Sequence, residues 1–295
     1  MHPRNEYLGK PPNFGALAAK YKSFAPYVKA DESGAPALDF RDPYALRELT
    51  TVLLKEDFNL DWVLPIDQLC PTLSSRLNYI HWVEDLLRTR VPEAFPALDL
   101  PARGLDVGTG ASCIYALLGH RVYGWNMLAS EVDADAASFA QRNVEANGLS
   151  ASIDVRVVPP ATRAVLGAAP PRDGDAAAVD HIDFCMCNPP FFGDVNDANK
   201  NPSTANTGTP SELATEGGEL AFVRGILADS LALGTKVTWY TTMLGAKVNW
   251  LAFKEDLKAQ KVTCVHSTRL FQGRTVRWAV AWSFCPSSSF APMPV

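Results

Sequence analysis

The feature that most limits the fold is an alternation beginning at Gly104. Short apolar, β-prone runs (GLDVG, MLASEV, SIDVRVV, HIDFCMC, KVTWYTTM) alternate with helical patterns at Ser112 to Leu118, Asp133 to Asn147, Gly218 to Leu233 and Val248 to Gln260. Such alternation predicts βαβ units and a mostly parallel sheet covered by helices. The last two runs, VTCVHSTRL and VRWAVAWSF, are separated only by a short Gly-containing segment and predict an antiparallel hairpin. Residues 1–100 read as a mainly helical, Pro-punctuated extension. Asp42-Pro43 opens one helix through ALRELTTVLLKEDF, Ser75 to Leu87 forms another, and Leu98 to Arg103 is a linker. The chain therefore divides into an extension, 1–100, and an α/β core, 101–295. Residues 192–216, rich in Asn, Ser, Thr, Pro and Gly, read as a mobile loop.

Several function classes are disfavoured. The chain is 47% hydrophobic and 20% charged, an ordinary globular balance that excludes disorder and fibres. Cys70, Cys113, Cys185, Cys187, Cys264 and Cys285 show no paired zinc spacing, so no metal is expected and a reducing compartment is. The start, MHPRNEYLGKPPNF, lacks the apolar core of a signal peptide, and no run of 18 apolar residues occurs, so no membrane partner is expected. These features predict an intracellular protein, nuclear or cytoplasmic.

A net charge of −5 argues at first against nucleic acid, whose phosphates draw on clustered Lys and Arg. The average hides two basic ends. Residues 1–29 hold Arg4, Lys10, Lys20, Lys22 and Lys29 against Glu6 alone, and residues 261–282 hold Lys261, Arg269, Arg274 and Arg277 with no acid. A polarised surface of this kind can focus RNA onto one face.

Three motifs carry chemistry. Gly104-Leu105-Asp106-Val107-Gly108-Thr109-Gly110-Ala111-Ser112 is a strand running into a glycine turn and a helix, where open α/β sheets bind nucleotides. It lacks the third glycine of a dinucleotide site, Cys113 standing there, and a tight turn without a ligand is the alternative. Glu131 ends the next strand, where a carboxylate can accept from both ribose hydroxyls of an adenosine cofactor; a solvent-facing loop acid is its alternative.

The decisive motif is Asn188-Pro189-Pro190-Phe191, directly after HIDFCMC. The exocyclic amine of adenine is a poor nucleophile because its lone pair is delocalised into the ring. An Asn oxygen and the following Pro carbonyl can accept its two N–H bonds, the Pro pair stiffens the backbone that aims them, and the aromatic ring offers a stacking face to an extruded base. With the glycine turn and Glu131, this set predicts an S-adenosylmethionine-dependent methyltransferase acting on a planar nitrogen. In the closing hairpin, Trp278 and Trp282 are assigned to the core, and Arg274 and Arg277 to RNA.

Together with KPPNF, FRDPYALRELT, RLNYIHWVEDLL, LDVGTGASCIY, FCMCNPPFF, EGGELAFV and GRTVRWAVAWSF, these residues give a chain that resembles, end to end, the eukaryotic RNA adenine-N6 methyltransferase family. That family modifies U6 small nuclear RNA and hairpins of S-adenosylmethionine synthetase messenger RNA; the bacterial 23S ribosomal RNA adenine-N6 methyltransferase is a more distant likeness. The resemblance implies a Rossmann-like class I methyltransferase fold, a mostly parallel seven-stranded sheet with an antiparallel last strand. It implies that Gly108, Gly110 and Ser112 line S-adenosylmethionine, that Glu131 holds the ribose, that Arg76 pairs with the methionine carboxylate, and that Thr162 and Asn188 touch the cofactor. It further implies that His2, Arg4 and Lys10 form an arm that grips RNA, with Arg41 a further basic contact.

The chain departs from the family pattern at Ala161, where a lysine is common, at Glu6, commonly basic, and in the loop after Phe192, where residues 193–216 hold only Lys200 as a basic residue. It also ends where the methyltransferase domain of the vertebrate type gives way to a further RNA-binding region. The competing readings are N5-methylation of a protein glutamine, whose amide offers the same N–H pair, methylation of adenine N6 in ribosomal RNA, and a non-catalytic RNA-binding adaptor.

Overall fold

A computed structural model of the chain describes residues 1–95, 101–159, 181–194, 207–273 and 275–293. Seven strands form one sheet in the order β5-β4-β3-β6-β7-β9-β8. They are β3 (Arg103–Val107), β4 (Asn126–Glu131), β5 (Ile153–Val157), β6 (Ile182–Cys187), β7 (Val237–Leu244), β8 (Cys264–Gln272) and β9 (Thr275–Ser283); β1 (Val28–Ala30) and β2 (Pro36–Leu38) form a separate hairpin. Pairing is parallel from β5 through β7, and antiparallel where β9 joins β7 and β8.

The order sets the site. The chain runs outward from β3 through β4 to β5, then returns to lay β6 against the other side of β3. This reversal is where open α/β sheets form a crevice at the carboxyl ends of their strands. The register sets Val107 opposite Cys187, so the glycine turn and Asn188 leave the sheet side by side.

Period-two patterning explains the layers. Phe184 and Met186 of β6, Trp239 and Met243 of β7, and Ala279 and Ala281 of β9 join one core; Cys185 and Cys187, Tyr240 and Leu244, and Val280 and Trp282 join the other. The first core is covered by α3 (Leu73–Arg88), α4 (Ile114–Tyr123) and α5 (Ala134–Ala146), and it continues into α2 (Pro43–Phe58) and α1 (Phe14–Lys20). The second is covered by α7 (Gly218–Leu233) and α8 (Lys247–Ala259). Trp282 is fully buried and Trp278 partly so, as the alternation requires.

Helix starts follow local chemistry. Asp42 accepts from the Tyr44 and Ala45 N–H groups ahead of Pro43, and Asp133 does the same for Asp135 and Ala136. The helix expected to start at Ser75 starts at Leu73, behind Pro71, and is the third helix of the extension, α1 preceding the two expected ones. Part of the segment expected to be mobile is fixed. Phe192 N–H donates to the Leu213 carbonyl and Thr215 N–H to the Phe192 carbonyl, and Pro210–Leu213 makes a single helical turn, α6. Its middle, 195–206, lies outside the described residues.

Candidate active site

The glycine turn needs its glycines: Gly108 and Gly110 have φ of +69° and +63°, and nothing stands within 4 Å of where a Gly108 side chain would begin. Cys113, at φ 50°, starts α4. The extension holds this turn from outside, with Trp62 Nε1 donating to the Ser112 carbonyl at 2.9 Å. Asn143 bridges the Ala111 and Val63 carbonyls.

Glu131 is 9% exposed and fixed by three backbone N–H groups, Gly110 on Oε2 and Val132 and Asp133 on Oε1. It closes over the turn rather than facing solvent. Asp106 below it is buried; Oδ2 accepts from Thr109 Oγ1 at 2.7 Å, while Oδ1 has no partner among the described residues. Burial pushes the Asp106 carboxyl from 3.8 up to about 7, with the Glu131 charge adding to the rise and the Thr109 bond and Arg76 opposing it.

The folded protein thus keeps a proton that the unfolded chain releases between about pH 4 and pH 7. Stability should therefore fall as pH rises through that window. Asp106→Asn is expected to remove the fall and to exceed wild type at pH 8 by on the order of a few kcal/mol, with near equality at pH 4. Urea midpoints at the two pH values check this; parallel pH curves would contradict it.

Arg76 is not a surface arginine. Nη1 donates to the Tyr115 hydroxyl at 3.0 Å, the guanidinium lies 5.4 Å from the Tyr115 ring centroid, and buried Nε has no partner among the described residues. A cavity of about 630 Å³ opens beside it, lined by Arg76, Asn188, Pro189, Phe191, Glu212 and Arg277, and by the arm and α2 beyond. Asn188 Oδ1 is buried there with no partner among the described residues. Its backbone is set by Tyr79, whose hydroxyl accepts from the Cys187 N–H at 3.3 Å and lies 2.6 Å from Thr241 Oγ1.

Arg277 does not project from the hairpin as a surface phosphate grip. Its guanidinium lies 4.8 Å from the Phe191 ring centroid, inside the cavity. Burial and the neighbouring Arg76 charge lower its pKa, with Glu219 and Tyr115 opposing. Behind Phe191, buried Glu219 accepts from the Gly245 and Ala246 N–H groups and Asn249 Nδ2, holding the β7–α8 turn against the ring.

The other basic residues assigned to RNA sit elsewhere. Arg4 turns inward: its Nη2 donates to Asp85 at 2.7 Å and to the His81 carbonyl at 2.8 Å, and His2 Nε2 meets the other Asp85 oxygen at 2.8 Å. Both anchor the arm on α3. Lys10 and Arg41 are exposed, Arg41 pairing with Asp39 in its own turn. Thr162, Ala161, Lys200 and Arg274 lie outside the described residues. Tyr79, Tyr115, Glu212 and Glu219 were not singled out from sequence; for Glu212 a signal existed, Thr209-Pro210-Ser211-Glu212 being a capping-box pattern.

With this geometry, the sequence matches the RNA methyltransferase family over residues 1–286. The chain belongs to that family. Among its family relatives, the RNA N(6)-adenosine-methyltransferase mettl16 of Xenopus laevis is 47% identical over 293 residues, covering 96% of this chain and 52% of the relative. The U6 small nuclear RNA (adenine-(43)-N(6))-methyltransferase of Drosophila melanogaster is 39% identical, covering 96% of this chain and 93% of the relative. The chain thus spans about half the length of the vertebrate relatives it matches and nearly all of the fly one.

Solved structures agree on the family fold. The human METTL16 catalytic domain in complex with MAT2A 3′UTR hairpin 1 superposes with a TM-score of 0.87 at 44% identity, covering 100% of this chain and 99% of that one. The human N-terminal domain in complex with SAH gives 0.81 at 43% identity, covering 97% and 99%. Among the described residues, no helix is long and apolar enough to cross a membrane, and no group of three His, Cys, Asp or Glu could hold a metal ion.

Proposed function

We propose that this chain transfers a methyl group from S-adenosylmethionine to N6 of an adenosine in structured RNA, with U6 small nuclear RNA and hairpins of S-adenosylmethionine synthetase messenger RNA as its target class. A U6 target, being a nuclear RNA, supports a nuclear site of action. The observation that carries the reading is Asn188 Oδ1, a buried acceptor with no partner among the described residues, on the wall of a cavity that also presents Phe191. Burying an acceptor unpaired costs roughly 1–3 kcal/mol, so it is retained for a donor that arrives with the substrate.

The residues present fit the cofactor. Gly108 leaves open space above the turn, Glu131 is aimed by three N–H groups, and among the described residues Asp106 Oδ1 and Arg76 Nε have no partner. Arg76 and Glu131 would hold the carboxylate and ribose ends, with Gly110 and Ser112 between. Bound S-adenosylmethionine supplies an electrophilic methyl group on a sulfonium.

The protein's part is positioning. Asn188 Oδ1 and the Pro189 carbonyl accept the two N–H bonds of the amine, which favours the pyramidal nitrogen and turns its lone pair outward. Phe191 stacks on the flipped base, and Arg277, 4.8 Å from the centroid of that ring, leaves its charge near the incoming phosphates. N6 forms its bond to the methyl carbon as the carbon–sulfur bond breaks with its pair passing to sulfur. The proton then leaves to water, so no general base is required.

The test uses cofactor labelled in its methyl group, the purified chain and a U6-like RNA. Label is expected in RNA, lost on ribonuclease treatment, and recovered as N6-methyladenosine after digestion. Label that survives ribonuclease in protein would support glutamine N5 as the acceptor instead. No label and no cofactor binding would leave the non-catalytic adaptor.

A further inference from the structure

Glu212 belongs to the cavity but has no part in the reading above. A capping box fixes it in α6: Oε2 accepts from the Thr209 N–H at 2.9 Å and from Thr209 Oγ1 at 3.2 Å. The same oxygen accepts from the Leu69 N–H at 2.9 Å, and the Cys70 N–H donates to Thr207 Oγ1 at 3.0 Å. The segment is therefore strapped across the cavity to the turn that leads into α3.

The other oxygen lies at the glycine turn. A methyl group built on Gly110 would lie 3.3 Å from Glu212 Oε1, so this carboxylate sits directly at that turn. Burial raises its pKa against the Thr209 and Leu69 hydrogen bonds, and the Glu131 charge adds to the rise. Asp106, Glu131 and Glu212 thus converge on one turn, and Asp106, 1% exposed, keeps an oxygen without a partner among the described residues. Glu131 and Glu212 are like charges that repel one another unless a cation comes between them, while buried Asp106 holds its proton up to about pH 7.

We propose that Glu212 is a binding residue for the cofactor's sulfonium, and that it makes the site prefer charged S-adenosylmethionine to the neutral thioether product. The inference rests on the cofactor reading given above. In that reading Glu131 marks the ribose end and Arg76 the carboxylate end. The sulfur is bonded to the ribose 5′ carbon, and Gly110, whose N–H is tied to Glu131, lies at that joint. Glu212 Oε1 faces the same residue. Loss of the sulfonium charge on methyl transfer removes this attraction, which speeds release of the product.

Calorimetry of the whole chain with S-adenosylmethionine and S-adenosylhomocysteine separates the possibilities without an activity assay. Glu212→Gln keeps an amide oxygen for the Leu69 and Thr209 N–H groups but loses the charge. It is expected to raise the S-adenosylmethionine Kd about tenfold and the S-adenosylhomocysteine Kd less than about twofold. Equal loss for both ligands, or none, overturns the proposal. Glu212→Asp keeps the charge and should hold the ratio of the two affinities within about threefold of wild type, even if the shorter side chain weakens both; a collapsed ratio also overturns it. A wild-type chain that binds neither ligand would remove the cofactor reading itself, a different failure.

Discussion

Asn188→Ala is expected to lower the methylation rate by about 10²-fold to 10³-fold while changing folding stability by less than about 1 kcal/mol, because the deleted group acts on the substrate and not on the fold. Its side-chain oxygen has no partner among the described residues, so removing it breaks no internal bond there and relieves an unpaired buried acceptor. The rate effect comes from the amine. Without Oδ1, one N–H loses its acceptor and the nitrogen is left planar, its lone pair held in the ring. The Pro189 carbonyl remains, which is why the loss stops short of complete. Single-turnover rates on a U6-like RNA, read beside a thermal melt, distinguish the cases. A rate within a few-fold of wild type would remove Asn188 from the reaction, and a large drop in melting temperature would make it structural.

How much of this was legible in the sequence depends on the range of the interactions. The sheet was, because strand faces are written in alternation: Trp239 and Tyr240, or Ala281 and Trp282, go to opposite cores whatever the tertiary detail. The glycine turn, Glu131 and Asn188 were legible because each sits at a strand end, and the strand order brings strand ends together. The partners that hold them were not. Tyr79 reads as one more apolar residue on α3, and only the folded chain shows its hydroxyl beneath Cys187.

Arg4 and Arg277 show the limit most clearly. Both lie in basic segments that suggest an outward grip on RNA, yet Arg4 meets Asp85, 81 residues away, and Arg277 lies over Phe191. A count of charges along the chain cannot see such pairs. The basic ends therefore describe less free surface charge than they suggest, and part of the positive field is gathered inside the cavity by Arg76 and Arg277. Glu212 was hidden for another reason: composition marked its segment as loop, while its carboxylate accepts from Leu69 and twice from Thr209, and the Cys70 N–H holds Thr207 beside it.

Gly104→Ala is expected to destabilise the protein by about 1–2.5 kcal/mol, lowering the melting temperature by roughly 2–10 °C for a chain of this size. Gly104 is in β3 between Met127 and Phe184, its register partners on the two neighbouring strands. A methyl group there would lie 2.3 Å from Phe184 Cζ and 2.6 Å from Met127 Sδ. Two effects oppose each other. Alanine in a strand restricts the unfolded chain and gains about 0.4–1 kcal/mol, since this glycine does not have a positive φ. Overpacking a filled core costs about 1–3 kcal/mol, occasionally more, and here the neighbour cannot swing away.

Phe184 is fully buried with its ring centroid 4.5 Å from that of Trp125, and Trp125 already presses on Gly119, where a methyl group would lie 2.5 Å from its ring. Overpacking therefore prevails, and the displaced β3 carries the strain into Gly108 and Gly110, so cofactor affinity should fall with stability. Because Gly104→Ala and Gly119→Ala push on one Phe184–Trp125 pair from two sides, their double variant should depart from additivity by more than about 0.5 kcal/mol. Chemical denaturation of the single and double variants measures this. Additive effects, or a Gly104→Ala protein as stable as wild type, would show that the core beneath the glycine turn yields more easily than its packing implies.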